Sequence, residues 1–442
     1  MLNRSKIKPM DFKNKKIAVI GAGVEGLSSK KFLESKGAIV TLLDKTQGDD
    51  YLNNLSKYDI LVRSPGIKPQ LLEGYENVTS QTKLFFDLCP SKIIGVTGTK
   101  GKGTTSTLIY EMLKKQGADV YLGGNIGTPP FDFLDKLNAQ SIVVLELSSF
   151  QLIDLDKSPH IAVMLMTTSE HLDYHNNLEE YVDAKRNILR FQTTNDFAIV
   201  NRDYPVSNES DIHTNAKVFY VSTEREGRDG CYVNDKSVYI KINGKEEKII
   251  NVSEILLPGK HNLENVSAAV LAATLSDVSK ENITSVLRTF KGLEHRLELV
   301  DTINGVKYYD DSFSTTPETA IAAINAFKSH EILILGGSSK NSNFEELGNV
   351  ISKAENIKAI IGIGFEWERI KEQIINLGSV ILVLEGAKTM EQIVKAASKI
   401  SLPGDVVLLS PACASFDMFK NYKDRGEQFK NEVKKVKLET SN

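Results

Sequence analysis

A glycine-rich stretch that carries two lysines, residues 98–104, has the residue types and spacing of a phosphate-binding loop. It reads Gly-Thr-Lys-Gly-Lys-Gly-Thr, and it lies between an apolar run at residues 93–96 and a stretch of helical apolar spacing at residues 105–115. Glycine loops and helix N-termini bring backbone N–H groups to phosphates, a lysine reaches the outer phosphates, and a hydroxyl ligates Mg²⁺. The pattern therefore predicts a buried strand, a loop and a helix that together bind a nucleotide triphosphate.

This loop departs from the usual pattern at two positions. Val96 stands where a leading glycine is usual, and Gly103 stands where Ser or Thr normally follows the lysine. The metal-ligating hydroxyl would then come from Thr104 or Thr105. An ordinary strand-to-helix turn is the alternative interpretation. Three glycines together with Lys102 argue against it, because a turn that binds no phosphate does not need this combination.

A second glycine loop, residues 21–26, follows a predicted strand at residues 16–20 and precedes a predicted helix. The next predicted strand, residues 39–43, ends at Asp44, which places an acid about 20 residues beyond the glycines. This arrangement is typical of a βαβ unit that binds a dinucleotide. On the motif alone, NAD, FAD, another diphosphate and a turn that binds nothing all remain open.

Acids, histidines and a lysine follow the strands of the central region. Glu146 lies at the end of the strand predicted at residues 141–147, where open α/β sheets bind ligands, so it is a candidate Mg²⁺ ligand or a cap of the next helix. His171 lies in a polar segment after another strand and could serve a metal, with a solvated loop as the alternative. Lys185, taken by itself on the following helix, is interpreted as a surface charge.

Further chemical groups flank the start of the last part of the chain. Arg296 could stabilise phosphate charge and Asp311 could bind a ribose hydroxyl, although each taken alone is better explained by a structural role. A glycine turn with a cation, residues 336–340, and a turn of small residues, 410–415, follow later strands. The second turn could hold a carboxylate by its backbone and hydroxyl donors.

Strands and helices alternate along the chain, which predicts an α/β protein. The 442 residues predict two to four domains, and the formal net charge of −3 gives no field that would attract nucleic acid. The three cysteines form neither a disulfide framework nor a zinc spacing. The basic N-terminal segment has no apolar core, and no run approaches the roughly 18 apolar residues of a membrane span. These features predict a cytoplasmic protein with no nucleic-acid or membrane partner.

Together these motifs resemble those of the Mur ligase family, the ATP-dependent amino-acid ligases of peptidoglycan precursor synthesis. The resemblance covers nearly the whole chain, residues 17–429, and is carried by ELSSFQL (146–152), HLD (171–173), GKHN (259–262), GLEHR (292–296) and SPACASFDMF (410–419). The last stretch is typical of the branch of the family that adds D-glutamate.

Similarity to this family implies three α/β domains. A Rossmann-like domain, residues 1–90, would bind the UDP part of the substrate rather than NAD, which revises the dinucleotide interpretation of the first glycine loop. A central P-loop ATPase-like domain, residues 91–292, would bind ATP and contain a small β subregion. A C-terminal Rossmann-like domain, residues 293–442, would bring the incoming amino acid and close over the site.

The resemblance also implies the substrates and the reaction. The small-molecule substrates would be UDP-MurNAc-L-Ala, D-glutamate and ATP, with two Mg²⁺ ions that Mn²⁺ could replace, and the enzyme would be a monomer. The substrate carboxylate would attack the γ-phosphate to give an acyl phosphate, and the amine of D-glutamate would then attack that carbonyl and release phosphate. Phosphoryl transfer of this kind depends mainly on positioning and charge neutralisation.

Individual residues receive roles from the same resemblance. The catalytic residues are Lys102, Glu146, His171, Lys185 and Arg296, and the metal-binding residues are Thr104, Glu146, His171 and Lys185, the last as a carbamylated lysine. The ATP-binding residues are Gly98, Thr99, Lys100, Gly101, Lys102, Gly103, Thr104, Thr105, Asn262, Asn265, Arg296 and Asp311. The UDP-substrate residues are Gly23, Val24, Glu25, Asp44, Lys45, Ser64, Pro65, Gly66, Asn125, Ser148 and Gln151. The amino-acid-binding residues are Thr315, Lys340, Ser415, Phe416 and Tyr422.

Three positions depart from the family pattern. Gly103 replaces the usual hydroxyl residue, Glu170 stands where Asp usually precedes the histidine, and Phe313 stands where lysine is common. Because Phe313 removes a cation close to the amino-acid site, a variant ligase that adds L-glutamate or another amino acid is an alternative. An NAD-binding regulatory or redox protein is the alternative from another class, against which the central phosphate loop and Glu146 argue.

Overall fold

The computed structural model describes residues 11–168, 174–339, 342–375 and 381–440. Within these ranges the chain forms three β-sheets flanked by helices, which confirms the predicted α/β class. Two compact units divide the chain: the first comprises the residues up to Glu254 together with Leu263–Val286, and the second comprises Ile255–Asn262 and the residues from Leu287 onward. The domain boundaries expected at residues 90 and 292 stay a proposal.

The first sheet belongs to the N-terminal part of the first unit. Its strands are β1 (Lys16–Ile20), β2 (Ile39–Leu43), β3 (Ile60–Arg63) and β4 (Val78–Ser80), and its helices are α1 (Val24–Ser35) and α2 (Gln81–Leu88). The four strands are parallel and lie in the order β2-β1-β3-β4. β2 lies on one side of β1 and β3 lies on the other. The loops after β1, β2 and β3 therefore meet at a switch point, where such sheets bind ligands.

The central sheet completes the first unit. Its strands are β5 (Lys92–Thr97), β6 (Val120–Gly124), β7 (Ile142–Glu146), β8 (Ile161–Met164), β9 (Phe197–Asn201), β10 (Lys217–Ser222), β11 (Gly230–Asn234), β12 (Ser237–Ile242) and β13 (Lys245–Asn251). The helices along this part of the chain are α3 (Lys102–Lys115), α4 (Ser149–Leu152), α5 (Leu178–Arg190), α6 (Pro205–Asn208), α7 (Lys260–Thr274) and α8 (Lys280–Thr289). The strand order is β13-β12-β11-β10-β9-β8-β5-β7-β6, so β5 lies between β7 and β8.

Most pairs in the central sheet are parallel, and only the pairs formed by β12 are antiparallel among the described residues. Asn243 and Gly244 join β12 to β13 with φ angles of 52° and 76°. Two residues with positive φ are what a tight hairpin turn requires. Asn-Gly is also the dipeptide that most strongly indicates such a hairpin in a sequence.

The third sheet belongs to the second unit. Its strands are β14 (Glu298–Ile303), β15 (Val306–Asp310), β16 (Glu331–Gly336), β17 (Ile357–Ile363), β18 (Leu382–Leu384) and β19 (Val406–Leu409), in the order β14-β15-β19-β16-β17-β18. Its helices are α9 (Pro317–Ile324), α10 (Glu345–Lys353), α11 (Trp367–Ile375), α12 (Met390–Ile400) and α13 (Tyr422–Thr440). β14 is antiparallel to β15, and the other pairs are parallel. The loops after β15, β16 and β19 therefore meet at one edge.

One hydrophobic core joins the first and central sheets. Phe32 of α1 stacks on Phe131 with 4.3 Å between ring centres, and Phe85 of α2 meets Phe133 edge-on at 5.8 Å. Each pair takes one ring from each region, which explains why the two sheets form a single compact unit. No helix within the described ranges is both long and apolar enough to cross a lipid bilayer.

A buried acid at the start of β16 makes the stability of the second unit dependent on pH. Glu331 is fully buried; its Oε1 accepts a hydrogen bond from Asn356 Nδ2 at 2.7 Å, and Oε2 has no hydrogen-bond partner among the described residues. Burial raises the pKa of this carboxyl from 4.5 to about 8, although the Asn356 bond opposes the rise. The folded protein thus keeps a proton near neutral pH that the unfolded chain releases.

We expect the Glu331→Gln variant to be more stable than the wild type above neutral pH. The raised pKa contributes stability that is complete below pH 4.5 and is lost as the pH rises toward 8. The difference in unfolding free energy between variant and wild type should therefore grow by roughly 1.4 kcal/mol per pH unit over that interval, as denaturant titrations would measure. Glu346→Gln, at an exposed position of α10, is the control; a difference that did not vary with pH would contradict the prediction.

Candidate functional site

The predicted phosphate loop lies at the carboxyl end of β5, and α3 begins inside it at Lys102, three residues before the predicted helix start at Thr105. Gly101 precedes the helix with φ +87°, and a Cβ there would lie 2.1 Å from Asn265 Oδ1. Only glycine allows the loop backbone to come this close, so the loop packs directly on Asn265, a residue assigned to ATP binding. Because the helix starts within the loop, its first N–H groups lie where a phosphate could accept them.

Lys102 and Thr99 hold this loop in shape. Lys102 Nζ donates to Gly98 O at 3.1 Å and to Thr99 O at 3.0 Å. Thr99 N donates to Met166 O at 2.7 Å, and Thr99 Oγ1 lies 2.9 Å from the Tyr181 hydroxyl oxygen. The loop is therefore tied to the segment after β8 and to α5.

Lys185 is part of the same cluster. It lies on α5 with only 2% of its surface exposed, and its Nζ donates to Gly98 O at 2.9 Å. The Nζ also lies 4.7 Å from the centre of the Tyr181 ring. The interpretation of this lysine as a surface charge is therefore wrong, and Lys102 and Lys185 meet at one carbonyl of the phosphate loop.

Glu146 ends β7 directly beside Val96 of β5 in the parallel register. It is buried, and its Oε1 accepts a hydrogen bond from Asn125 Nδ2 at 2.8 Å. A residue assigned to the UDP substrate and a residue assigned to the metal are thus in contact.

The chemistry of the donor groups assigned to the metal suits Mg²⁺. Thr105 Oγ1 donates to Asn265 Oδ1 at 3.4 Å, which favours Thr104 as the hydroxyl for a metal. A buried carboxylate and a hydroxyl are the hard oxygen donors that Mg²⁺ prefers, so the residues present fit the ion. His171 and Glu170 lie outside the described residues.

A cavity of about 600 Å³ opens at the switch point of the first sheet. Nine of the eleven residues assigned to the UDP substrate line it: Gly23, Val24, Glu25, Asp44, Lys45, Ser64, Pro65, Gly66 and Asn125. The other two, Ser148 and Gln151, lie just behind the lining. Gln151 Nε2 donates to Glu25 Oε1 at 2.6 Å, and Ser148 N donates to Gln151 Oε1 at 2.9 Å.

Two acids of this cavity have different electrostatic environments. Burial raises the pKa of Glu25 to about 7, although the Gln151 hydrogen bond and the charge of Arg63 oppose the rise. Among the described residues, Glu25 Oε2 has no hydrogen-bond partner. Asp44 accepts from Thr46 N at 3.0 Å and from Ala22 N at 2.8 Å, and these bonds lower its pKa. Asp44 therefore uses its carboxylate oxygens to hold the glycine loop. In the dinucleotide interpretation, the same oxygens would bind a ribose hydroxyl.

In the second unit, Asp311 links two of the turns that carry the family motifs. It is buried, and its carboxylate accepts from Leu297 N at 3.1 Å and from Ser410 Oγ at 2.7 Å. Burial raises its pKa to about 7, with a smaller contribution from the neighbouring charge of Asp310. These contacts are structural, and a role at the ribose stays a prediction.

The described residues assigned to the amino acid lie in segments that follow β15 and β19, at the carboxyl edge of the third sheet. Ser338 N donates to Ala414 O at 2.9 Å, and Phe416 N donates to Ser338 Oγ at 3.0 Å, so the loops after β16 and β19 are joined. Ser415 is buried there, Thr315 and Tyr422 are half-buried, and the Phe416 ring is 73% exposed. Lys340 lies outside the described residues.

The two remaining residues assigned to nucleotide binding lie elsewhere in the second unit. Arg296 is exposed and its guanidinium stacks on the ring of Phe313. Asn262, at the start of α7, is buried and its Nδ2 donates to Pro258 O at 2.7 Å.

Sequence reasoning missed two fully buried arginines that hold the loops of the site. In the first unit, Arg63 donates to Ile67 O at 2.8 Å and to Phe150 O at 3.0 Å, and it pairs with Asp154 at 2.9 Å. In the second unit, Arg425 donates to both Ser312 and Cys413. The signal for Arg63 is a charge at the end of an apolar strand, whereas Arg425 lies near the start of α13, a few residues after the 410–419 motif, and received no role.

Comparison with protein families gives two matches. Residues 96–273 match the Mur ligase middle domain, and residues 295–413 match the glutamate ligase domain of Mur ligases. The first match spans the phosphate loop, Glu146 and Lys185. The second spans Arg296, Asp311 and Phe313.

Curated relatives match nearly the whole chain. The UDP-N-acetylmuramoylalanine–D-glutamate ligase of Acetivibrio thermocellus is 40% identical over 96% of this chain and 97% of its own. The protein of the same name from Clostridium kluyveri is 39% identical over 96% and 98%. Among solved structures, the ligase MurC of Thermotoga maritima aligns with a TM-score of 0.60 at 16% identity, over 96% of this chain and all of its own. The ligase MurF of the same organism, in complex with ADP, aligns with a TM-score of 0.59 at 18% identity over 96% of both chains.

Proposed function

The chain belongs to the Mur ligase family, and on that premise we propose that it joins D-glutamate to UDP-N-acetylmuramoyl-L-alanine in peptidoglycan precursor synthesis, driven by ATP. The structural observation that carries the proposal is the meeting of Lys102 and Lys185 at Gly98 O, with the Glu146 carboxylate ending the neighbouring strand. A lysine inside a glycine loop and a carboxylate at the end of the neighbouring strand suit phosphoryl transfer better than hydride transfer.

The proposed reaction begins with attack of the substrate carboxylate on the γ-phosphate of ATP, which forms an acyl phosphate and ADP. The amine of D-glutamate then attacks the acyl carbon, an amide bond forms, and phosphate leaves. Lys102 would neutralise charge on the outer phosphates in the first step. The N–H groups at the start of α3 would hold the same phosphates.

The C-terminal residues would serve the other partners of this reaction. Arg296 would add positive charge at the nucleotide phosphates, as the resemblance implies. Thr315, Ser415 and Phe416 would contact D-glutamate. The joining of the loops after β16 and β19 supports their acting as one site.

A magnesium ion, when bound, would neutralise charge on the ATP phosphates. Glu146 and Thr104 are the described residues that would hold it, and His171 and a carbamylated Lys185 are assigned to a second ion. The identity and number of the metal ions stay a proposal.

The cavity of the first sheet would bind the UDP part of the substrate. Its glycine loop offers backbone N–H groups to a diphosphate, and the nine assigned residues in its lining support this placement. We also propose that the enzyme acts in the cytoplasm as a monomer, in three domains with boundaries at residues 90 and 292.

Phosphate release measured with UDP-MurNAc-L-Ala, ATP and a panel of D- and L-amino acids tests the proposal. D-Glutamate should give the fastest release. Faster release with L-glutamate or a neutral amino acid would favour the variant ligase that Phe313 raised as an alternative. No release with any amino acid would overturn the ligase assignment, and NAD binding at the first cavity would support the alternative from another class.

The raised pKa of Glu25 predicts that affinity for the UDP substrate depends on pH. Below a pKa of about 7 the carboxyl is neutral, and above it the anion repels the diphosphate. Calorimetry without ATP should show affinity falling roughly fivefold between pH 6 and pH 8.5, and the Glu25→Gln variant should abolish the fall. Glu73→Gln changes an exposed acid between β3 and β4 of the same sheet and should keep the wild-type pH profile. A Glu25→Gln variant whose affinity falls with pH as the wild type's does would contradict the prediction.

A further inference from the structure

Phe313 stands at a departure from the family pattern, and it makes two specific contacts. The Cζ of Arg296 lies 3.7 Å from the centre of the Phe313 ring, so the guanidinium stacks on its face. Tyr422 meets the same ring edge-to-face, with 5.2 Å between ring centres and 90° between planes. A cation and a second aromatic ring thus both contact this side chain.

The backbone beneath the stack is held by several hydrogen bonds. Phe313 N donates to His295 O at 2.9 Å, which joins the turn of Phe313 to the turn of Arg296. Ser312 Oγ donates to Tyr422 O at 2.8 Å, and the fully buried Arg425 donates to Ser312 Oγ at 2.9 Å. These bonds fix the backbone that carries the Phe313 ring, and the guanidinium of Arg296 stacks on that ring.

Stacking holds an arginine without consuming its hydrogen-bonding capacity. The flat face of a guanidinium rests on the ring, while its N–H donors point outward in the plane and can still meet an anion. A long exposed side chain otherwise loses rotamer freedom when it binds a phosphate. Holding the chain beforehand reduces that loss and strengthens binding.

We propose that Phe313 is a positioning residue that preorganises Arg296 for the phosphates of the nucleotide. The proposal rests on the role given to Arg296 above. Position 313 contributes no charge of its own; it fixes where the charge of Arg296 lies, and Tyr422 supports the ring from the side. Through Arg296, the effect of Phe313 is exerted on binding of the nucleotide.

A double-mutant cycle on Phe313 and Arg296 tests this. Phe313→Leu keeps an apolar side chain but removes the aromatic face, Phe313→Tyr keeps the face, and each is made with and without Arg296→Ala. Calorimetry with ATP and Mg²⁺ should show Phe313→Leu weakening nucleotide affinity by roughly three- to tenfold and Phe313→Tyr by less than about twofold. In the Arg296→Ala background, Phe313→Leu should have no further effect.

The steady-state constants separate positioning from a general structural effect. Phe313→Leu should raise the KM for ATP and leave the KM for D-glutamate and the thermal midpoint near wild-type values. Equal affinity of the Leu variant and the wild type, an equal loss in both backgrounds, or a change confined to the KM for D-glutamate would overturn the proposal. The calorimetric cycle needs no ligation, so it decides the role of Phe313 even if the amino-acid panel overturns the proposed function.

Discussion

Replacing Lys102 by alanine should lower ATP-dependent ligation by at least about a hundredfold while the protein stays folded, because preorganised charge at a transferring phosphate is worth roughly 3 kcal/mol or more. The side chain lies inside the loop, with its Nζ on Gly98 O and Thr99 O. Its removal takes away the positive charge and these two hydrogen bonds, while Thr99 N still ties the loop backbone to Met166 O. Phosphate release at saturating substrates measures the loss.

A lysine at the other end of the same helix provides the matched control. Lys115 lies in the last turn of α3 and is exposed, so Lys115→Ala removes the same charge from the same element without touching the loop. That variant should retain wild-type turnover. Near-normal turnover of Lys102→Ala would remove the phosphate loop from the mechanism.

The phosphate loop could be predicted because its information is local. Glycines, a lysine and the change from strand to helix spacing all fall within residues 93–115, and the structure has β5, the loop and α3 in that order. The start of the helix was misplaced because Lys102 and Gly103 are weak evidence for either loop or helix. The Asn-Gly hairpin is equally local, since its two residues must both take positive φ.

The ligand of the first glycine loop could not be read from its motif. A glycine turn at a helix N-terminus offers backbone N–H groups that any diphosphate can accept, so NAD and UDP look alike at this level. Asp44, which the motif gives to a ribose, instead accepts from Ala22 N and Thr46 N. It was the family resemblance that pointed to UDP, and it is carried by motifs far from this loop, such as ELSSFQL (146–152) and SPACASFDMF (410–419).

Contacts between distant segments account for what sequence reasoning missed. Arg63 and Asp154 are 91 residues apart in the chain, and nothing near either residue indicates the pair. Lys185 is 87 residues from Gly98, and its helix spacing does not tell which element covers it. Burial of a lysine against a loop carbonyl is a property of the packed fold and has no local pattern.

The position of Lys185 leads to the second large effect. Burying an ammonium group is unfavourable unless it is well paired, and reaction of the neutral amine with CO₂ to give a carbamate, with release of a proton, converts the group to an anion. The carbamate N–H could still donate to Gly98 O, as Nζ does now at 2.9 Å. The new carboxylate would supply the kind of oxygen ligand that Mg²⁺ prefers.

We therefore expect Lys185→Ala to be nearly inactive and to recover part of its activity when acetate is added, because the missing group is an anion. Acetate should not restore Lys102→Ala, which lacks a cation, and this pair makes the rescue specific. Carbon-13 NMR of the wild-type protein in labelled bicarbonate should show a carbamate signal that Lys185→Ala lacks, a readout independent of turnover. An active Lys185→Ala enzyme, or a rescue of both variants alike, would show that the buried lysine acts only as a cation or a packing group beside the loop.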